Sequence, residues 1–74
     1  MAVVEVLSPV DGSVALYHND VGASVVKGEA LVEVEAMKVF FRVEAPEDGT
    51  LVWVAELGEF VGHGEVVAKL ETSG

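Results

Sequence analysis

Side chains able to do covalent or metal chemistry are few in this sequence. It contains no cysteine, and its two histidines, His18 and His63, lie in predicted turns 45 positions apart. Such an arrangement indicates neither a metal site nor a nucleophile with its base. Lys38 is of interest because it lies in a predicted tight turn that its residues do not suit.

The predicted turn at Met37 and Lys38 joins two runs whose side chains match across it. Antiparallel pairing gives apolar partners on one face, Val34 with Phe41 and Val32 with Val43, and on the other face Glu33 with Arg42 and Glu35 with Phe40. A slip by one residue would expose the valines, so this register is well specified. We therefore expect Phe41 in the core and Phe40 on the outer face, where an exposed aromatic can anchor a partner.

Met37 and Lys38 break the local rule for such a turn. A two-residue hairpin needs positive φ at both positions and therefore prefers Asn-Gly or a similar pair. Met-Lys offers neither residue. Departures from local preference are expected at functional sites. The structural alternative is a slightly longer loop, in which Lys38 is an ordinary solvated lysine.

The elements around this turn are predicted to be strands. Seventeen of the 74 residues are valine and none is isoleucine, and β-branched side chains suit a pleated surface. Turn residues recur every few positions and leave no segment long enough for a helix. The predicted strands cover residues 3–7, 13–17, 31–36, 39–45, 50–55 and 66–70, with two short strands near Val25 and Val61. The fold class is therefore all-β, a sandwich or a barrel.

An internal repeat predicts two similar halves. Pro9, Asp11 and Gly12 recur 37 positions later, and a second set recurs 36 positions later: Gly22, Val25, Gly28, Glu29 and Glu35. One half alone could not bury its apolar face, so we expect one core with approximate two-fold symmetry. The second half is one residue shorter between its first two glycines, which predicts a tighter loop around Glu56 and Leu57.

Charge and composition exclude several classes of function. The formal net charge of −9 leaves no basic surface for nucleic acid. No apolar run approaches the length of a membrane span, and the first residues resemble neither a signal nor a transit peptide. We expect residues 1–74 to form a single cytoplasmic domain with no membrane partner. An enzyme is the least expected class, because short strands in 74 residues leave no cleft for chemistry.

Glu35-Ala36-Met37-Lys38 resembles the attachment motif of biotinyl carrier domains, the biotin carboxyl carrier family. The resemblance also covers the two Pro-to-Gly turns and the glycine series. It implies a flattened β-barrel, or barrel-sandwich hybrid, of two four-stranded sheets with Lys38 at a hairpin tip. It further implies biotin bound covalently to Lys38 by a biotin protein ligase that recognises Glu35, Ala36 and Met37. The implied partners are biotin carboxylase and carboxyltransferase, served by a non-catalytic, monomeric carrier.

Other members of this fold class remain as alternatives. Lipoyl domains share the fold and the repeat but usually carry Asp before the acceptor lysine, where this chain has Met37. Structural modules of membrane-fusion adaptors need no lysine at the tip. Val39-Phe40-Phe41 departs from the Met and polar residues that commonly follow the lysine in the biotinyl family, which leaves the partner enzyme open. Trp53 and Phe60 are interpreted as packing residues.

Overall fold

The computed structural model describes residues 1–73, and the regular elements in that range are all β-strands. The eight strands are β1 (Ala2–Leu7), β2 (Gly12–Tyr17), β3 (Ser24–Val25), β4 (Ala30–Ala36), β5 (Val39–Glu44), β6 (Gly49–Val54), β7 (Phe60–Val61) and β8 (Val66–Thr72). Each lies within two residues of its predicted bounds. The predicted all-β class is confirmed.

The strands form two antiparallel four-stranded sheets with the orders β1-β8-β6-β3 and β5-β4-β2-β7. The second order repeats the first when each strand is replaced by the one that lies 36 or 37 positions away in the chain. The predicted approximate two-fold symmetry is therefore present in the sheets as well as in the sequence. The molecule measures 36 × 19 × 19 Å, so the two sheets form an elongated body.

The core lies between the two sheets and is built from both halves of the chain. Its fully buried side chains alternate along the strands with outward-facing ones, as expected for period-two patterning. Among the most deeply buried are Val14, Leu31, Val32 and Val34 from one half and Leu51, Val67 and Leu70 from the other. Neither half could keep this apolar surface from water alone.

Turns at equivalent places in the two halves are held by contacts that cross between them. The Asp48 side chain accepts a hydrogen bond from the Lys27 backbone N–H at 2.9 Å, and Asp11 accepts one from His63 at 2.7 Å. Lys27 and His63 lie 36 positions apart, so each half fixes a turn of the other. The loop between β6 and β7 is also one residue shorter than the loop between β2 and β3, as predicted.

Three aromatic side chains are less buried than the sequence suggested. Phe41 is only half-buried and does not join the core cluster, because β5 is an edge strand that the opposite sheet covers incompletely. Phe60 is 66% exposed on the outer face of β7, and its neighbour Val61 takes the inward position. The Trp53 ring is exposed as well and lies beneath the Lys69 ammonium, 5.5 Å from the ring centroid.

Candidate functional site

The β4–β5 hairpin ends in the two-residue turn that the sequence predicted. Ala36 pairs with Val39, and the residues between them, Met37 and Lys38, have φ values of 51° and 67°. Both therefore adopt the left-handed conformation, which costs a residue other than glycine roughly 1–2 kcal/mol. The predicted register is confirmed at all four residue pairs. The chain thus holds Met and Lys at a place where Asn-Gly would be easier to accommodate.

Glu35 stabilises this strained turn from within the hairpin. Its carboxylate accepts a hydrogen bond from the Lys38 backbone N–H at 2.5 Å. The sequence motif predicted only ligase recognition for Glu35, and this contact was not expected. The available signal was a carboxylate two residues before a turn that lacks glycine. Glu35 therefore fixes the backbone from which the Lys38 side chain leaves.

The start of β2 packs against β4 close to the same turn. A Cβ atom at Gly12 would lie 2.3 Å from the Glu35 backbone carbonyl oxygen. Only glycine allows the two strands to approach so closely. The equivalent Gly49 is close to the carbonyl of Glu71 in the other half, at 2.7 Å for the same hypothetical atom. Gly12 thus allows β2 to pack closely against β4, while the Glu35 side chain holds the turn by its hydrogen bond.

The Lys38 side chain is exposed at the end of the molecule. Met37 beside it is 95% exposed, which excludes the core position that methionine often takes. Neither of the two ion pairs in residues 1–73 involves Lys38. A group attached to this amine would therefore extend into solvent, and an enzyme could reach it from several directions.

The charged side chains behind the tip form ion pairs with residues other than those opposite them. Glu33 and Arg42 are opposite each other as expected. The Glu33 carboxylate nevertheless contacts His18 Nε2 at 2.6 Å, while Arg42 lies 3.9 Å from Glu44 on the same strand. His18 follows β2, which pairs with β4 on the side away from β5, so it competes for Glu33 across the sheet. The predicted placement of Glu33 opposite Arg42 is confirmed, and within residues 1–73 these two side chains form no ion pair with each other.

Other kinds of site find little support in the part of the chain that the structure describes. No group of three or more His, Asp or Glu side chains within residues 1–73 could hold a metal ion. No helix there is long and apolar enough to cross a membrane. A shallow depression lined by Lys27, Asp48, Thr72 and Ser73 lies at the end of β4 opposite to the Met37-Lys38 turn. At the hairpin tip, by contrast, the backbone that carries the exposed Lys38 amine is held by the contacts of Glu35 and Gly12.

Comparison with known families decides the identity of this fold. The family model described as "Biotin-requiring enzyme" matches residues 4–70, which is most of the chain. The chain belongs to the biotin/lipoyl attachment domain family. Its symmetric sheets and its lysine at a hairpin tip agree with the resemblance seen in the sequence motif.

Relatives of this biotin/lipoyl domain fall into two functional groups. It is 36% identical over 62 residues to the acetyl-CoA carboxylase of Dictyostelium discoideum, and the match covers 84% of this chain and 3% of that protein. It is 34% identical over 77 residues to the dihydrolipoyllysine-residue succinyltransferase component of the 2-oxoglutarate dehydrogenase complex of Haemophilus influenzae, covering 95% of this chain and 19% of that protein. The chain therefore spans a small part of the length of these relatives.

Solved structures give the same division. The urea carboxylase of Kluyveromyces lactis contains a region that matches this domain with a TM-score of 0.89 and 25% identity, covering 96% of this chain and 6% of that one. The lipoyl domain of the 2-oxoglutarate dehydrogenase complex of Azotobacter vinelandii matches with a TM-score of 0.69 and 35% identity, covering 86% and 82%. The biotin/lipoyl domain is thus similar to carrier regions of both kinds, and the cargo has to be argued from its own residues.

Proposed function

We propose that this chain is a biotin carboxyl carrier domain whose Lys38 is biotinylated by a biotin protein ligase. One observation carries the proposal: an exposed lysine follows methionine in a strained two-residue turn that Glu35 holds in place. Lipoyl domains usually carry Asp where this chain has Met37. The carboxylase relatives support the same cargo. Ala36, which closes β4 immediately before the turn, and Met37 are the residues that we assign to ligase recognition, together with Glu35.

The geometry of the tip fits a covalently attached arm. The amine is exposed and makes no ion pair among residues 1–73, so attachment breaks no contact. When bound, biotin supplies a ureido nitrogen that accepts and releases a carboxyl group. The domain contributes the rigid mount that presents this arm first to biotin carboxylase and then to carboxyltransferase or decarboxylase. In this role the domain moves cargo and is not itself a catalyst.

The reaction asked of Lys38 is an acyl transfer performed by the ligase. The Lys38 ammonium loses one proton, and its Nζ then attacks the carbonyl carbon of the acyl-adenylate made from the carboxylic acid and ATP. The C–N bond forms, the C–O bond to AMP breaks, AMP leaves with the electron pair, and a second proton is lost from nitrogen. The Glu35 carboxylate is already engaged by the Lys38 backbone N–H. We therefore expect the base to come from the ligase.

Intact mass spectrometry after coexpression tests the cargo. The chain is produced separately with a biotin protein ligase and with a lipoyl ligase, and we expect the mass to rise by one biotin less one water in the first sample. The Lys38→Arg variant is the control, because its guanidinium stays protonated and cannot form the amide. Biotinylation of that variant would contradict the assignment of Lys38. If the parent is lipoylated and not biotinylated, lipoate replaces biotin as the cargo.

A lipoyl carrier is the second candidate, and the dehydrogenase relatives favour it. In that role the same lysine would carry acyl groups for a 2-oxoacid dehydrogenase complex. Met37→Asp restores the residue that lipoyl domains usually carry. We expect this variant to be biotinylated more slowly than the parent and to become a better substrate of the lipoyl ligase. Biotinylation at the parental rate would remove Met37 from the recognition surface.

A further inference from the structure

We propose that the outer face of the β5-β4-β2-β7 sheet is the surface on which the biotin protein ligase docks, with Phe40 and Phe60 as its apolar anchors. The proposal rests on the proposed function, because it needs an enzyme that acylates Lys38. It assigns a role to two exposed aromatic residues that neither the core nor the acceptor motif uses.

Four residues form one row across this face at the end nearest the acceptor lysine. Phe40 on β5 pairs with Glu35 on β4, Glu35 pairs with Ser13 on β2, and Ser13 pairs with Phe60 on β7. Phe40 is 55% exposed and Phe60 is 66% exposed, so an aromatic ring stands at each end of the row. We call these four residues the outer row. Glu35 also accepts the Lys38 backbone N–H, so the row is tied directly to the acceptor turn.

The internal symmetry provides a comparison within the same molecule. In the other sheet the equivalent row consists of Val3, Glu71, Thr50 and Ser24, joined by the same pairings. Valine and serine therefore occupy the two places that hold phenylalanine beside Lys38. Because both sheets form with the same topology, the fold does not require an aromatic residue at either position. Exposed phenylalanines in one row alone indicate a contact made only on that side.

The size of an enzyme contact explains why a surface beside the tip is needed. A specific protein–protein interface covers about 800 Å² on each partner. This molecule exposes 4313 Å² in all, so such a footprint would take about a fifth of it. A two-residue turn is far too small to supply that area. A ligase that reaches the short, unmodified Lys38 side chain must therefore cover a face that adjoins the turn, and the outer row lies on such a face.

Charge favours a ligase over a second copy of this chain as the occupant. Each copy carries a formal charge of −9, so a self-association through this face would bring like charges together. Glu33 and Glu35 share this face with Arg42, Glu59 precedes Phe60 in the chain, and Lys38 is the cation of the adjoining turn. The complementary surface is apolar where it meets the two rings and carries Lys or Arg around them.

Steady-state kinetics with purified biotin protein ligase, biotin and ATP test the docking surface. We expect Phe40→Ser and Phe60→Ser each to raise the KM for the domain by about tenfold while kcat changes less than about twofold. Docking contacts of this kind hold the ground state and the transition state equally, which is why KM carries the effect. The matched control is Val3→Ser in the equivalent row, where the side chain is 59% exposed and KM should stay at the parental value.

A competition assay separates docking from chemistry. The Lys38→Arg domain should inhibit biotinylation of the parent, and adding Phe40→Ser to it should weaken that inhibition by about the same factor of ten. Glu59→Gln keeps an acceptor oxygen for the Glu56 backbone N–H and removes one charge, so it should raise KM and reduce its dependence on salt.

Two different results would overturn the two proposals separately. If the parent is biotinylated while the phenylalanine variants keep the parental KM, or if Val3→Ser weakens docking equally, the docking surface is wrong and the acceptor assignment stands. If the ligase leaves the parent unmodified at Lys38, the proposed function fails and the docking surface fails with it. Denaturant melts of each variant confirm that the domain remains folded during these measurements.

Discussion

At the scale of single residues, the acceptor turn holds two side chains in a backbone conformation that is unfavourable for them. Met37 and Lys38 both have positive φ, and the penalty for two such residues is a large share of what a small domain can lose. The Glu35 carboxylate offsets part of it by accepting the Lys38 backbone N–H. Under the proposed function, the roles of the two side chains account for methionine and lysine in this turn, and the strands beneath it supply the stability.

The Met37→Gly variant tests whether the backbone at Met37 is strained. Glycine adopts positive φ without steric cost but loses more backbone entropy on folding, so we expect a net gain of about 0.5–1 kcal/mol in the free energy of unfolding. Urea denaturation measures the change. Met37→Ala is the matched control, because it shortens an exposed side chain and keeps the backbone penalty. Equal stabilities of the two variants would mean that the turn is not strained at Met37.

At the scale of strands, the hairpin depends on a close approach between β2 and β4. The hypothetical Cβ atom at Gly12 overlaps the Glu35 carbonyl oxygen, and the equivalent atom at Gly49 overlaps that of Glu71 less severely. We expect Gly12→Ala to cost roughly 2–3 kcal/mol and Gly49→Ala somewhat less, because neighbouring backbone must move in both. Thermal melts give the two values.

The same pair of variants separates the hairpin from the rest of the fold. At a temperature where both variants are folded, only Gly12→Ala should slow the modification of Lys38, because only Gly12 lies under the acceptor hairpin. Measured kcat/KM for biotinylation distinguishes them. Equal slowing by Gly49→Ala would show that the acceptor responds to general destabilisation and not to the β2 contact.

Phe40 and Phe41 are neighbours on β5 with opposite orientations, and both are more exposed than core residues. Because Phe41 is only half-buried, we expect Phe41→Ala to cost about 1–2 kcal/mol, less than the 3–5 kcal/mol typical of a fully buried ring. Phe40→Ala should cost less than about 1 kcal/mol. Urea melts of the two variants check the order, and a larger loss for Phe40→Ala would contradict the register of β5.

The strands, the two-residue turn and the register across it follow from the sequence because each depends on neighbours in the chain. Alternating valines set the faces, and a slip by one residue would expose them. The burial of Phe41 could not be predicted from the sequence, because it depends on how far the opposite sheet covers an edge strand. The partner of Glu33 does not follow either, since His18 reaches it from the far side of β4. The hydrogen bond between the Glu35 carboxylate and the Lys38 backbone N–H was not predicted, because it exists only once the turn has formed.

At the scale of the whole molecule, the two halves are joined at both ends of the barrel. Asp11 fixes the turn at His63, and Asp48 fixes the turn at Lys27, so each contact links residues from opposite halves. The buried side chains are shared in the same way. This arrangement gives a rigid body about 36 Å long, with the acceptor turn at one end and the paired strands β1 and β8 reaching the other.

The pairing of Ala2 with Thr72 is the symmetric counterpart of the pairing of Ala36 with Val39. In the first case the strands end, and in the second a two-residue turn connects them. Glu71 is the equivalent of Glu35, which lies two residues before the turn. The ends of β1 and β8 are therefore paired as the two strands of the acceptor hairpin are, without a two-residue turn between them.

A circularly permuted chain tests whether these paired strand ends can carry a second acceptor turn. If a Met-Lys dipeptide joins Thr72 to Ala2 and the chain is reopened in the loop after β2, the Glu71 carboxylate should support the new turn as Glu35 supports the old one. When Val3→Phe and Ser24→Phe are added, so that the row beside the new turn matches the outer row, we expect intact mass spectrometry to find two attached groups per molecule after coexpression with the ligase, and one when Lys38 is changed to Arg. Without these two changes the new lysine should be modified more slowly than Lys38. The two-fold symmetry would thus let the permuted chain carry one group at each end.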